Sequence, residues 1–194
     1  MRLVLASGNA GKLAEIRQIL AGCGVELVAQ REFGIADATE AATTFVENAL
    51  LKARHAARRS GLPALGDDSG LCVDALNGAP GLLSARYAGS HGDSAANIAK
   101  LLEALRDVPD ARRTAHFHCS IALLAHAEDP APLIAEGHWH GSVLRAPRGD
   151  RGFGYDPVFF DPVRGMSAAE LDPVIKNQVS HRGQALAVLR RLLA

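Results

Sequence analysis

The chain has no excess of either charge. Its 194 residues hold 21 lysines and arginines against 21 aspartates and glutamates. A protein that neutralises many nucleic-acid phosphates shows a basic surplus, so this balance argues against that class. Aromatic residues are scarce, at 5 % with a single tryptophan, which leaves few stacking platforms for single-stranded RNA. Cysteine is sparse too. Cys23, Cys72 and Cys119 are widely spaced, odd in number, and form no Cys-x-x-Cys pair. They read as reduced core thiols in a reducing compartment. No apolar run approaches the length of a membrane span, and Met1 to Ala6 is too short for a signal-peptide core. The expectation is a cytoplasmic protein with no membrane and no nucleic-acid partner. Repeats and low-complexity tracts are also missing.

What is present is ordinary globular composition, 48 % hydrophobic and 22 % charged, enough for one domain over residues 1–194. Leu3 to Ala6 reads as a buried strand. After the loop Ser7-Gly8-Asn9-Ala10-Gly11-Lys12, the residues Leu13, Ile16, Ile19 and Leu20 recur at helical spacing until Gly22 and Gly24 end the helix. Val25 to Ala29 is a second strand, and Phe33 to Thr43 is irregular. A helix is predicted from Thr44, which stands at capping-box spacing from Glu47, to about Ser60, where Gly61-Leu62-Pro63 stops it. Its alanine-rich side suits close packing on a sheet. Ala64 to Asp67 and Leu71 to Ala75 read as short strands around an Asp67-Asp68-Ser69-Gly70 turn, and Asn77 to Gly81 as another turn. A helix is expected over Ser94 to Arg106, capped by Asp93 or Ser94. Long strands follow over Ala115 to Leu124 and Leu133 to Leu144, then a glycine-rich loop from Arg148 to Gly154. Pro157 to Phe160 is a short strand and Ser180 to Leu193 a final helix.

Several segments carry chemistry. In Ser7 to Lys12, glycines let N–H groups turn toward an anion, the following helix adds the positive end of its dipole, and Lys12 adds a full charge. The spacing is not that of a Walker A loop, and Leu13 stands where the metal-binding hydroxyl belongs. Asp67 and Asp68 are paired carboxylates able to hold Mg²⁺ and orient water, although adjacent strand residues face opposite ways, so only one of them faces the site. Glu40 precedes the alanine-rich helix, and Lys52 lies on that helix four residues after Asn48. In Gly152-Phe153-Gly154-Tyr155-Asp156-Pro157, glycines expose a ring for base stacking. Lys176 and Ser180-His181-Arg182-Gly183 offer donors to a purine keto oxygen, while Ser180 alone reads as an N-cap. His116-Phe117-His118 and His138-Trp139-His140 each put two histidines on one strand face. Were those strands neighbours, four imidazoles would meet in a cluster able to bind zinc, but the reading taken is ordinary sheet-surface histidines.

These segments, in this order, resemble the inosine triphosphate pyrophosphatase family, also called XTP/dITP diphosphatases. The resemblance rests on Ser7-Gly8-Asn9 with Lys12, on Thr44-Phe45-Val46-Glu47-Asn48-Ala49, and on Asp67-Asp68-Ser69-Gly70-Leu71. It rests also on Gly78-Ala79-Pro80-Gly81 with Ser84-Ala85-Arg86-Tyr87, on Phe153-Gly154-Tyr155-Asp156-Pro157, and on Ser180-His181-Arg182-Gly183. It implies an α/β fold with an elongated, twisted mixed β-sheet, flanking helices and two lobes around a nucleotide cleft. It also implies a homodimer and Mg²⁺ as cofactor. Ser7, Gly8, Asn9, Ala10, Gly11, Lys12 and Lys52 would hold the triphosphate. Glu40 and Asp68 would sit at the metal, with Asp68 the catalytic acceptor for the attacking water's proton and Ser69 touching substrate. Phe153 would stack on the purine, with Gly154, Tyr155, Asp156, Lys176, His181 and Arg182 at the base and sugar end. The family often shows Glu-Glu-Thr-Gly before the alanine-rich helix; here the segment is Thr39-Glu40-Ala41-Ala42.

The implied reaction is hydrolysis of the non-standard purine triphosphates ITP, dITP and XTP to monophosphate and pyrophosphate, which clears deaminated purines from the nucleotide pool. A site of buried donors pairs with a 6-keto oxygen and is mismatched by a 6-amino group. Two other readings are a regulatory module that binds a nucleotide without cleaving it and an RNA binder using the basic C-terminal end. The acidic residues Glu40, Asp67 and Asp68 argue against the first, and the neutral net charge against the second.

Overall fold

The apolar run at the N-terminus is strand β1 (Arg2–Ala6) in the computed structural model, which describes residues 1–192. Its side chains alternate between two cores. Leu3 and Leu5 enter one apolar cluster, Val4 and Ala6 another. A strand buried on both faces needs no polar alternation, which is why this run is continuously hydrophobic. The chain continues through α1 (Ala10–Ile19), β2 (Glu26–Ala29), α2 (Phe45–Ser60), β3 (Ala64–Val73) and α3 (Ser94–Ala104). It then forms β4 (Thr114–Leu124), β5 (Leu133–Val143), β6 (Phe159–Asp161), β7 (Met166–Ser167), α4 (Pro173–Val179) and α5 (His181–Leu192). Leu193, in the predicted final helix, lies outside the described residues.

The strands form one seven-stranded sheet in the order β2-β1-β3-β4-β5-β6-β7. Strand β1 pairs in parallel with β2 and β3, whereas β6 pairs antiparallel with β5 and β7. This is the mixed α/β sheet with flanking helices that was expected. By its internal contacts the chain divides into two compact units. Unit 1 comprises Met1–Asp68, Cys119–Gly137 and the chain from Arg182 onward; unit 2 comprises Ser69–His118 and His138–His181.

Within unit 1, α1 and α5 supply Leu13, Ile16, Ala185, Leu186 and Leu189 to the cluster that holds Leu3, Leu5, Leu65, Ile121 and Leu123. Each buried leucine or isoleucine among them contributes about 1.5–3 kcal/mol relative to exposure. On α2, the alanines Ala49, Ala53, Ala56 and Ala57 are buried. They let the helix sit so low on the sheet that a Cβ added to Gly66 of β3 would lie 2.1 Å from the Ala49 carbonyl oxygen. Thr44 caps α2 by accepting from the Glu47 N–H, and Gly61 ends it in the left-handed conformation, both as the sequence requires. Within unit 2 the core is Leu71, Val73, Leu101, Phe117, Trp139, Tyr155, Val158 and Phe159 with their neighbours.

Some expectations are corrected. Asp67 to Gly70 is no turn, because β3 runs unbroken from Ala64 to Val73. Locally this is turn chemistry, but the two carboxylates are satisfied by cations from elsewhere, and the backbone stays in the sheet between β1 and β4. The short strand expected from Pro157 starts at Phe159, after a 3₁₀ turn over Asp156–Val158. Strand β7 and helix α4 carry too few residues to show a period. Ser180 ends α4, its N–H donating to the Lys176 carbonyl, and α5 starts at the next residue.

Candidate active site

In unit 1 the segment after β1 is fixed from several sides. Ser7 Oγ accepts from the Asn9 N–H at 3.2 Å. Asn9 is the N-cap of α1, its Oδ1 accepting from the Lys12 N–H at 3.0 Å. Ala10, Gly11 and Lys12 therefore form the first turn of α1 rather than a loop, and that turn carries the positive end of the helix dipole. A Cβ at Gly8 would lie 2.6 Å from Asp37 Oδ2, so a larger residue there would displace the Asp37 carboxylate. Lys12 reaches back to β3, donating to Asp67 Oδ1 at 2.7 Å and to the Asp67 carbonyl at 3.3 Å.

A second group of charges surrounds Asp68. Lys52 Nζ lies 2.6 Å from Asp68 Oδ1 and 2.5 Å from Glu40 Oε1. Asn48, one helical turn before Lys52, donates to Asp68 Oδ2 at 3.3 Å, and its own amide oxygen accepts from the Ala42 N–H at 3.2 Å. Asn48 thus ties the segment carrying Glu40 to the carboxylate of Asp68. Burial, with the nearby negative charge of Glu40, raises Asp68 above the ordinary carboxylate range despite Lys52 and Lys12. Lys52 is itself raised: burial works against its charge, and Asp68 and Glu40 more than offset that.

Two carboxylates meeting at one point are the oxygen donors a hard divalent cation prefers. Mg²⁺ is commonly held by one or two carboxylates together with substrate phosphates and water. Glu40 and Asp68, both within 2.6 Å of Lys52 Nζ, are such a carboxylate pair; among the described residues no group of three histidine, cysteine or acidic side chains is placed to hold a metal ion.

Asp67 is wholly buried. Arg182 Nε donates to its Oδ2 at 2.7 Å, and the other end of the guanidinium reaches Glu15 Oε2 at 2.5 Å. Burial alone would raise Asp67, but Arg182 and Lys12 hold it well below the usual carboxylate range. Cys119 Sγ lies 3.6 Å from the same carboxylate. Burial and that negative charge push its thiol well up, so it stays protonated and unreactive. All three cysteines are free thiols, but only Cys119 is a core residue; Cys23 and Cys72 are partly buried.

In unit 2, Gly152 and Gly154 both take positive φ, at 74° and 61°. At Gly152 a Cβ would lie 2.1 Å from Asp156 Oδ2. That same oxygen accepts from the Phe153 N–H at 2.8 Å and from Lys176 Nζ at 2.5 Å. The Lys176 ammonium lies 5.0 Å from the centre of the Phe153 ring, which is half-buried. Phe153, Asp156 and Lys176 are therefore one group. His181 is buried and stacks on Phe117, ring centres 4.7 Å apart and planes 11° apart. Ser69 follows Asp68 on β3 and is half-buried.

Tyr155, expected among the substrate-binding residues, is a buried residue whose hydroxyl donates to the Ser84 carbonyl at 3.0 Å. Arg182, expected at the base and sugar end, has its guanidinium on Asp67 and Glu15 in unit 1. Asn48 and Glu15 were not assigned roles from sequence, and Asp67 only one shared with Asp68, as a carboxylate able to hold Mg²⁺ or orient water. Asn48 was marked by its four-residue spacing from Lys52 and its place in the segment Thr44 to Ala49. Glu15 and Arg182 are 167 residues apart in sequence, a pairing that no local pattern encodes.

The sequence and the architecture resemble those of other proteins. A sequence model of the Ham1 family matches residues 3–192. The chain is 62 % identical over 192 residues to the dITP/XTP pyrophosphatase of Xanthomonas axonopodis pv. citri (strain 306), covering 99 % of this chain and 96 % of that protein. The solved structure of a HAM1 protein from Coxiella burnetii superposes with a TM-score of 0.91 at 53 % identity, covering 100 % of this chain and 98 % of that one. The structure of a nucleoside-triphosphatase, dITP/XTP pyrophosphatase, from Mycobacterium abscessus ATCC 19977 / DSM 44196 gives a TM-score of 0.75 at 46 % identity, with both chains fully covered. The chain belongs to the Ham1 family.

Proposed function

We propose that this chain hydrolyses the non-standard purine triphosphates ITP, dITP and XTP between the α and β phosphorus atoms, releasing the monophosphate and pyrophosphate. The observation that carries the reading is the convergence of Glu40, Asp68 and Lys52 in unit 1, in a chain whose Ham1 relative from Xanthomonas axonopodis is a dITP/XTP pyrophosphatase. Breaking a phosphoanhydride takes charge neutralisation, a positioned water and a stabilised leaving group. Glu40 and Asp68 would hold magnesium, which would supply charge neutralisation when bound.

The residues of the chain do the rest. Lys12 and the first N–H groups of α1 bind phosphate oxygens. Lys52 stands where the two carboxylates meet and neutralises the leaving pyrophosphate. Asp68 orients the water and accepts its proton, a positioning role more than a strong-base role, since a carboxylate beside a bound metal has a low pKa. Arg182 acts through Asp67, holding the carboxylate that positions Lys12. In unit 2, Phe153 takes the face of the purine, and Lys176 offers a donor to the 6-keto oxygen within reach of that ring. A 6-amino purine leaves the donor mismatched.

The same reading includes a homodimer and a cytoplasmic location. Three free cysteines support a reducing compartment, and no described helix is long and apolar enough to cross a membrane. The function is tested by pyrophosphate release from ITP, XTP, GTP and ATP with Mg²⁺. Faster turnover of ITP and XTP is expected. Equal turnover of all four contradicts the selectivity.

A further inference from the structure

The two His-x-His tripeptides are used by nothing above, and the structure brings them together. Strands β4 and β5 are neighbours in the sheet. His118 and His138 touch across them, ring centres 4.6 Å apart, and His116 and His140 lie 5.5 Å apart. Two residues along one strand correspond to two residues back along the other, the spacing of an antiparallel ladder. The intervening Phe117 and Trp139 are buried in the core of unit 2, with rings 6.4 Å apart. Side chains alternate along a strand, so the four imidazoles share the opposite face. There His138 and His140 are exposed, and His116 and His118 half-buried.

The contact between His118 and His138 is chemically specific. Their Nδ1 atoms are 3.4 Å apart. Two ligands each about 2.0–2.1 Å from a zinc ion lie at such a separation from each other when they occupy adjacent coordination positions. His116 and His140 flank the pair, with His116 5.8 Å and His140 6.3 Å from the His138 ring. No three such side chains among the described residues enclose an ion, so the arrangement is a two-point chelate whose remaining positions are open to water.

We propose that the outer face of β4 and β5 is a binding site for a borderline divalent transition metal, with His118 and His138 as its protein ligands. Imidazole favours Zn²⁺, Ni²⁺ and Cu²⁺, whereas Mg²⁺ seeks oxygen. The site therefore takes a different class of ion from the carboxylates of unit 1.

The test uses the untagged full chain. Calorimetric titration with Zn²⁺ and with Ni²⁺ is expected to show a saturable site that excess Mg²⁺ leaves unchanged. Cu²⁺ bound there should show nitrogen splitting in its paramagnetic resonance spectrum. The double substitution His118→Asn/His138→Asn should abolish both signals, while His126→Asn, away from the ladder, keeps them. All of these positions are at least partly exposed, and circular dichroism confirms that the variants fold. Absence of a saturable isotherm in the wild type, or an unchanged isotherm in the double variant, overturns the proposal.

Discussion

Asp67 and Asp68 are adjacent on β3, yet their carboxylates belong to separate charge groups. Asp67 Oδ2 accepts from Arg182 at 2.7 Å and its Oδ1 from Lys12 at 2.7 Å, whereas Asp68 Oδ1 accepts from Lys52 at 2.6 Å. The alternation of a strand separates them. Asp67 is held well below the carboxylate range and Asp68 is raised above it. One is an anchor held between Arg182 and Lys12, and the other shares Lys52 with Glu40.

The anchor makes a prediction about stability. Replacing Asp67 by Asn leaves the buried Arg182 guanidinium without its principal counter-charge. Loss of one partner of a buried pair costs about 3–5 kcal/mol. Urea unfolding should show that loss in Asp67→Asn. It should also show a double variant, Asp67→Asn with Arg182→Met, that is less destabilised than the two single changes added together.

Gly66→Ala tests the seat of α2 on the sheet. The new methyl would lie 2.1 Å from the Ala49 carbonyl oxygen, and backbone cannot rotate away as a side chain can. Overpacking of this kind costs about 1–3 kcal/mol. A matching fall in the urea midpoint at unchanged slope is the expected result.

Phe153→Ala separates binding from chemistry. Stacking of a base on an aromatic ring is worth about 1–3 kcal/mol. If the ring holds the purine equally in ground and transition states, KM for ITP rises while kcat is kept. Steady-state kinetics read both values.

Acid stability has a specific contributor in Asp161. Burial opposes its charge, but Arg164, the Trp139 indole N–H and the N–H groups of Val163 and Arg164 outweigh it and lower its pKa. A carboxyl depressed in the folded state stabilises the fold at pH above the unfolded value of about 3.9. That contribution is lost as pH falls below this value toward the lowered native one. Urea unfolding at neutral pH and at about pH 3 should show a smaller difference in Asp161→Asn than in the wild type.

Much of this was legible in the residues themselves. Thr44 and Gly61 bound α2 because capping and left-handed termination are local chemistry. The alanine stripe of α2 announced a close approach, although its partner, Gly66, is visible only in three dimensions. The segment Asp67 to Gly70 misled because turn propensity is also local, whereas its cations arrive from Lys12, Lys52 and Arg182. Lys12 and Lys52 could be matched to acidic partners as a class, but which carboxylate each takes follows from strand alternation. Arg182 was assigned as a donor to the base and sugar end from the segment Ser180 to Gly183; its contact with Asp67, a pairing across 115 residues, has no local signal.

The most direct test is pyrophosphate release from ITP with Mg²⁺ by wild type and by Asp68→Asn, each checked for folding. The substitution keeps the shape of the side chain and removes its capacity to accept a proton. Turnover should fall by about 10²–10⁴-fold, the usual worth of a general base, with the thermal midpoint little changed. An Asp68→Asn protein that releases pyrophosphate at the wild-type rate would contradict the account.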